Sequence, residues 1–198
     1  MSNEKIFYSL MPLDDFKVIL GVDDREDKLA RFCLVTSTLS IEQYCKRKLL
    51  RKKYFERIEY IGDLIIPLRE FPVSKVLAVY ALSSMGGVGE IVEPDFYNVI
   101  PDCGIDDDLP FHISLFPALQ RYRGLSAFKV IYWGGYVTNK VPADLASACL
   151  ELAAWNLNRY RSRRIGMTGS VKKDGESFEM KMPENVRLLL EPYRRKTI

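Results

Sequence analysis

The sequence predicts an α+β fold: a helical bundle of three to four helices with a β-rich insertion of five to seven short strands between its second and third helices. Two patterns predict it. Apolar residues recur with a helical period before residue 52 and after residue 137. Between them, short runs rich in β-branched and aromatic residues alternate with glycine and proline turns. We therefore divide the chain into residues 1–51, 52–137 and 138–198, with the first and third parts forming one helical domain.

Two helices are predicted at the N-terminal end. The first covers residues 12–20 and stops at Gly21. Asp23 or Asp24 then caps a second helix, because a carboxylate accepts hydrogen bonds from the first amides of a helix. This helix is predicted to continue to about Lys48. Its periodicity predicts an apolar face made of Leu29, Phe32, Cys33, Thr36, Leu39, Ser40 and Tyr44.

Seven short segments after the second helix are strand candidates. They cover residues 54–61, 64–67, 73–82, 91–92, 96–100, 111–116 and 128–132. Residues 85–89 contain three glycines and predict a hairpin tip, and residues 101–110 predict an acidic, turn-rich loop.

A third helix of about six turns is predicted after the double glycine Gly134-Gly135. Pro142 lies near its first position, where the missing N–H costs little, and Asp144 falls in the first turn, where a carboxylate is favoured. Gly166 is the expected residue just past its C-terminus. The predicted apolar face consists of Leu145, Ala148, Cys149, Leu152, Ala153, Asn156 and Tyr160. Trp155 is expected at the margin of that face.

The C-terminal segment is predicted to contain a loop and a short helix. Residues 166–182 are polar and contain glycine, which predicts a mobile loop or a weak hairpin that becomes ordered only on docking. Pro183 then begins a last helix over residues 184–190, which Pro192 ends.

Length and composition suit a packed protein. The chain has 198 residues, of which 47% are hydrophobic and 28% charged, so one or two domains with a proper core are expected. No apolar run approaches the roughly 18–20 residues that cross a bilayer, and no secretory signal is recognisable. The sequence therefore predicts an intracellular protein without membrane contact.

Opposite charges are segregated along the chain. From Arg159 to the end the net charge is +6, whereas the first 158 residues sum to −3. Between Lys75 and Arg121 there is no lysine or arginine but there are seven carboxylates. Such segregation favours association with a partner. The candidate interface residues are Arg159, Arg161, Arg163, Arg164, Arg194, Arg195, Asp106, Asp107 and Asp108.

No pattern indicates catalysis, a cofactor or a metal. The single histidine, His112, lies in an apolar run without a nucleophile motif, and the glycines at 86–89 lack a phosphate-loop ending. Asp106, Asp107 and Asp108 lack the spacing of a calcium loop. The four cysteines, Cys33, Cys45, Cys103 and Cys149, are widely separated and are predicted to be reduced core residues.

Four segments together resemble a known family. They are residues 41–49 (IEQYCKRKL), 68–76 (LREFPVSKV), 130–163 (VIYWGGY through VPADL to RYRSR) and 186–195 (VRLLLEPYRR). In this order and spacing they resemble the head–tail connector, or head-completion adaptor, proteins of tailed bacteriophages and prophages. The smaller members of that family are mainly helical bundles, and the β-rich insertion resembles that of the larger prophage members.

The resemblance implies a non-enzymatic structural role. A ring of copies, about twelve, would dock under the portal protein, extend the DNA channel and offer a platform to the tail-side completion protein. The expected location is the head–tail junction of the virion, reached from the cytoplasm of the bacterial host during assembly. Independently of the resemblance, the arginine-rich helix end leaves two alternatives open: a contact with protein, or a nucleic-acid-binding accessory module that lies close to DNA without reading its sequence.

Overall fold

The computed structural model describes residues 7–62, 65–83, 89–101, 110–115, 125–162 and 182–195. These form four α-helices: α1 (Leu13–Leu20), α2 (Asp27–Cys45), α3 (Ala143–Arg161) and α4 (Glu184–Leu190). They also form seven strands: β1 (Lys52–Glu59), β2 (Ile65–Pro67), β3 (Val73–Ser83), β4 (Glu90–Val92), β5 (Tyr97–Pro101), β6 (Pro110–Leu115) and β7 (Leu125–Gly134). The predicted α+β class is confirmed, and each strand lies at a predicted segment.

The chain divides into two compact units. The helical unit consists of Met1–Arg47 together with Thr138–Ile198, and the β unit consists of Lys48–Val137. The chain passes from the helical unit to the β unit once and returns once. Most of the predicted hairpin tip (residues 85–88), of the acidic loop (residues 102–109) and of the 166–182 loop, including Gly166, lies outside the described residues.

The helical unit is built on α2 and α3, which pack against each other, with α4 against α3. Its buried side chains include Phe16, Cys33, Leu34, Ile41, Leu145, Cys149, Leu152, Leu157, Val186 and Leu190. Gly21 has φ +61° and ends α1, as predicted, because a left-handed residue at this position is best supplied by glycine. Pro183 and Pro192 also bound α4 as predicted.

The predicted apolar face of α2 is largely wrong. The buried residues are Ala30, Cys33, Leu34, Ser37, Thr38, Ile41, Glu42 and Cys45, whereas Phe32 is 51% and Leu39 46% exposed. The face is rotated because two hydroxyl groups have partners inside the unit. Thr38 Oγ1 accepts from Leu10 N at 3.1 Å, and Ser37 Oγ accepts from Asn156 Nδ2 at 3.0 Å, which removes the cost of burying them.

Both ends of α2 also differ from the prediction. Asp23 caps a 3₁₀ turn (Asp24–Glu26), accepting from Arg25 N at 3.1 Å, and α2 begins only at Asp27. The helix ends at Cys45, three residues early, because Lys46 adopts a left-handed conformation with φ 55°. The amides of Lys46 and Arg47 then bond back to Gln43 O and Glu42 O, both at 3.2 Å, which closes the last turn.

The prediction for α3 is confirmed more closely. Leu145, Ala148, Cys149, Leu152 and Ala153 are buried as expected, and Leu157 joins them, while Asn156 and Tyr160 are only partly buried. Pro142 immediately precedes the helix. Asp144 lies in the first turn as predicted, and its Oδ1 accepts from Leu145 N at 2.9 Å and from Tyr193 Oη at 2.6 Å. It therefore also holds the segment that follows α4.

The β unit contains two antiparallel sheets. One has the strand order β1-β7-β3-β4 and the other β2-β6-β5. Their shared core consists of Ile66, Leu68, Val73, Val79, Ala81, Val92, Ile113, Phe128, Val130 and Tyr132. Side chains at every second position of a strand point to the same face of a sheet. In β1, Tyr54, Glu56 and Ile58 are partly buried and the residues between them are exposed.

The double glycine is fixed by backbone hydrogen bonds on both sides. Gly135 N donates to Pro72 O at 2.9 Å, Tyr136 N to Leu49 O at 2.7 Å, and Arg51 N to Tyr136 O at 2.8 Å. Gly135 has φ +93°, and a Cβ there would lie 2.7 Å from the Leu49 carbonyl oxygen. Glycine is required here both for its conformation and for this close backbone approach.

Candidate functional site

The predicted basic end of α3 is held by partners within the chain. Arg161 forms a two-pronged pair with Glu26: its Nε donates to Oε1 at 2.9 Å and its Nη2 to Oε2. The Arg161 guanidinium lowers the pKa of the Glu26 carboxyl. Two residues before, the Arg159 guanidinium lies 4.6 Å from the centre of the Trp155 ring. These contacts orient both guanidinium groups.

The described C-terminal arginines are also anchored. The Arg194 guanidinium lies 3.7 Å from Glu191 Oε1 and 5.6 Å from the centre of the Tyr44 ring. The backbone amide of Arg195 donates to Cys45 O at 2.9 Å. The segment after α4 is therefore fixed against the end of α2, inside the helical unit.

The structure brings part of the predicted candidate interface into one unit. Arg159, Arg161, Arg194 and Arg195 all belong to the helical unit. The remaining predicted residues, Arg163, Arg164, Asp106, Asp107 and Asp108, lie outside the described residues.

We expect the Arg161–Glu26 pair to contribute little to stability despite its good geometry. Both side chains keep about a third of their surface exposed, so solvent screens the attraction. Arg161→Gln should lower the melting temperature by only about 1–3 °C at pH 7. Because the pKa of Glu26 is lowered, the pair stabilises the fold above the usual glutamate pKa near 4.5 and is lost as pH falls below it.

A double-mutant cycle tests this pair. Thermal melts of Arg161→Gln, Glu26→Gln and the double variant should show that the second substitution adds almost nothing to the first, and that the differences narrow below pH 4.5. Additive effects of the two single variants would contradict the pair.

Three cysteines are buried and free, which confirms the predicted core role for Cys33, Cys45 and Cys149. Burial raises the pKa of each thiol to about 11. Since the thiolate is the reactive form, these thiols are protected both sterically and chemically. Cys103 lies outside the described residues.

We expect these three thiols to resist alkylation in the folded protein. In a Cys103→Ser variant at pH 8, iodoacetamide should react at least about 100-fold more slowly than with the same protein in urea, because the thiolate population falls roughly tenfold per unit of pKa. Mass spectrometry of tryptic peptides measures each rate. Fast labelling of any of the three in folded protein would contradict its burial.

A partly buried hydrogen-bond network centred on the Tyr132 hydroxyl lies in the β unit. The Tyr132 hydroxyl donates to Glu56 Oε2 at 2.8 Å and accepts from Glu70 N at 3.1 Å. Arg69 N also donates to Glu56 Oε2 at 3.1 Å, and Lys48 N donates to Glu70 Oε2 at 3.0 Å. Burial and the nearby Glu56 carboxylate raise the pKa of Tyr132 well above its usual range. The network joins β1, β7 and the segment before β3.

The sequence reasoning missed one surface, the face of the four-stranded sheet that points away from its core. Its signal was the order Lys53, Phe55, Arg57 at every second position of β1, which places two cations and an aromatic ring on one face. Phe55 is 63% exposed.

The described residues contain neither a helix that could span a bilayer nor a cluster of metal ligands. None of their helices is long and apolar enough to cross a bilayer. Within the same residues, no group of three or more histidine, cysteine, aspartate or glutamate side chains is placed to hold a metal ion. The backbone of His112 lies in β6.

Neither a family model nor a curated protein matches the chain. Solved structures do share its fold. A chain in the neck of the empty gene transfer agent particle, computed with C6 symmetry, matches with a TM-score of 0.61 at 18% identity. A chain in the neck of the native particle, computed with C12 symmetry, matches at 0.60 and 18%, and one in the native virion at 0.55 and 20%. Each match covers 96% of this chain and 91% of the other.

The shared fold spans both units of the chain, since it covers 96% of the residues. It is consistent with the resemblance to head–tail connector proteins.

Proposed function

We propose that this chain is a structural protein of a phage-like virion, and that copies of it form a ring at the head–tail junction, between the portal protein and a tail-side completion protein. The observation that carries the proposal is the fold shared over nearly the whole chain with proteins in the neck of a gene transfer agent particle. The necks were computed with C6 and C12 symmetry, which supports a ring of copies, and we propose that the axis of this ring forms a channel for DNA.

The β unit is then an insertion into a helical domain. Lys48–Val137 lies between α2 and α3 in the chain, and the chain enters and leaves it once. The helical domain carries the basic end of α3 with Arg159 and Arg161, which we propose contacts a ring neighbour or the portal protein. The acidic segment that includes Asp106, Asp107 and Asp108 is proposed to supply the opposite charge for that contact.

Deletion of the gene in a particle-producing strain tests the role. We expect heads without tails, because a missing junction protein leaves no platform for the tail, and restoration of tailed particles by the wild-type chain from a plasmid. Electron microscopy of purified particles, with an antibody against a C-terminal tag, should label only the junction. Normal tailed particles from the deletion strain would contradict the proposal.

The alternative of a nucleic-acid-binding accessory module is less well supported. A guanidinium that is paired with Glu26, as in Arg161, or stacked on Trp155, as in Arg159, has fewer groups to offer to phosphates. A duplex-binding titration at increasing salt distinguishes the two functions. Weak binding is expected, whereas tight binding with a steep dependence on salt would favour the accessory module.

A further inference from the structure

The face of the four-stranded sheet that points away from its core is rich in cations. Directly opposite residues of antiparallel strands share a face, and the register aligns Lys53, Trp133 and Lys75 in one row and Arg57, Lys129 and Tyr80 in another. Between the rows lie Phe55, Ile131 and Ala78. We call this surface the basic sheet face: Lys53, Phe55, Arg57, Lys75, Lys129, Ile131 and Trp133.

No ion pair of the described residues compensates the cations of this face, although Glu59 is the next residue of β1 on the same face. Arg57 and Lys129 lie directly opposite each other, which is unfavourable for a sheet. Neither they nor Lys53 and Lys75 form an ion pair with a carboxylate of the described part of the chain. An exposed Phe55 beside such cations is typical of an interface that pairs with an acidic partner.

The edge of the same sheet that β4 forms is acidic. Strand β4 is outermost there, and Glu90, Glu93 and Asp95 are all exposed. None of the three forms an ion pair with a cation of the described residues. Ile91, directly opposite Tyr80, is 60% exposed and adds an apolar group. We call residues 90–95 the acidic sheet edge.

We infer that the basic sheet face of one copy binds the acidic sheet edge of the next copy in the ring. The inference rests on the proposed function. The cations lie on β1, β7 and β3, whereas the carboxylates lie on or just after β4, the outermost strand beyond β3. Copies placed side by side therefore bring the acidic sheet edge of one against the basic sheet face of the next. The contact is between two different surfaces, as a closed ring requires.

A second copy fits this face better than nucleic acid does. Phe55 is 63% exposed, and an apolar side chain on a binding surface needs an apolar partner. The acidic edge supplies exposed Ile91 and Pro94, whereas the phosphate backbone of a duplex supplies charge alone.

A charge swap on assembling particles tests the inference. Arg57→Glu with Lys129→Glu, and separately Glu90→Lys with Glu93→Lys, should each reduce incorporation into the neck at least about tenfold. Combining all four substitutions should restore it, because the charges again complement each other. Lys28→Glu with Lys140→Glu, two exposed lysines of the helical unit, is the matched control and should incorporate normally. Unaltered circular dichroism and melting establish that every variant is folded.

The outcomes separate this contact from the proposed function. If the wild-type chain is absent from the junction, the proposed function fails. If the wild-type chain is present but the edge variant incorporates normally, or the four-fold variant is not restored, the inference alone is overturned. The inference is also overturned if the Arg57→Glu, Lys129→Glu variant loses duplex binding and the four-fold variant does not regain incorporation into the neck. That result would assign the basic sheet face to nucleic acid.

Discussion

Replacing Gly135 by alanine is expected to destabilise the β unit by about 3 kcal/mol or more. Two costs add. A φ of +93° is strained for any residue with a Cβ, and that atom would lie 2.7 Å from the carbonyl oxygens of Leu49 and Leu50. Both oxygens belong to backbone, and Leu49 O already accepts the amide of Tyr136. The neighbouring chain therefore cannot move away cheaply.

Gly62→Ala is the matched control for this prediction. Gly62 has φ +100°, close to that of Gly135, but a Cβ there would meet no atom of the described residues within 4 Å. Gly62→Ala should therefore lower the stability of the β unit only by the cost of the strained conformation, about 1 kcal/mol. Urea unfolding in a Trp155→Phe background measures both, because Trp133 then reports the β unit alone. Equal losses from the two glycine variants would contradict the role of close backbone approach.

Tyr132→Phe is expected to lower the stability of the β unit by about 1–3 kcal/mol. The substitution keeps the buried ring and removes only the hydroxyl, which leaves the Glu70 amide and the Glu56 carboxylate each without one partner. Tyr60→Phe is the control, since no hydrogen bond of the Tyr60 hydroxyl occurs among the described residues and its ring also packs against the core, edge-on to Phe128. A loss as large in Tyr60→Phe would mean that the hydroxyl network is not the cause.

The same tyrosine should make the β unit sensitive to high pH. Its pKa is raised in the folded state, so the unfolded chain releases the proton first, near pH 10. The stabilisation is therefore complete below about pH 10 and falls above it, by up to about 1.4 kcal/mol per pH unit for one group. Unfolding at pH 9 to 11 should show a steeper fall in wild type than in Tyr132→Phe. Burial also raises the pKa of Tyr97. A smaller fall in stability should therefore remain in Tyr132→Phe.

Periodicity was sufficient to locate the strands and α3, where burial follows hydrophobicity. It failed on α2, where hydroxyls of Ser37 and Thr38 are buried with partners 119 and 28 residues away in the chain. Such pairing depends on the tertiary fold, and no local pattern encodes it. The end of α2 at Lys46 was missed for a similar reason, since a lysine rarely adopts φ > 0.

The candidate interface shows the same limit. The sequence identified the arginines at 159 and 161 as a cluster, but not that Glu26, 135 residues away from Arg161, pairs with one of them. The basic sheet face was visible only as alternation along β1. Its other cations, Lys129 and Lys75, lie on β7 and β3, and the register that aligns these strands with β1 is a property of the assembled sheet.

The hydrogen bond between Tyr136 N and Leu49 O also bears on how the helices come together. About 97 residues separate the end of α2 from the start of α3 along the chain, yet this bond joins the two ends of the β unit and leaves a connection of only about 11. Loop-closure entropy varies as (3/2)RT ln n, so this shortening lowers the entropic cost of pairing α2 with α3 by about 2 kcal/mol. A β unit that folds first would therefore tether the two halves of the helical unit at high effective concentration.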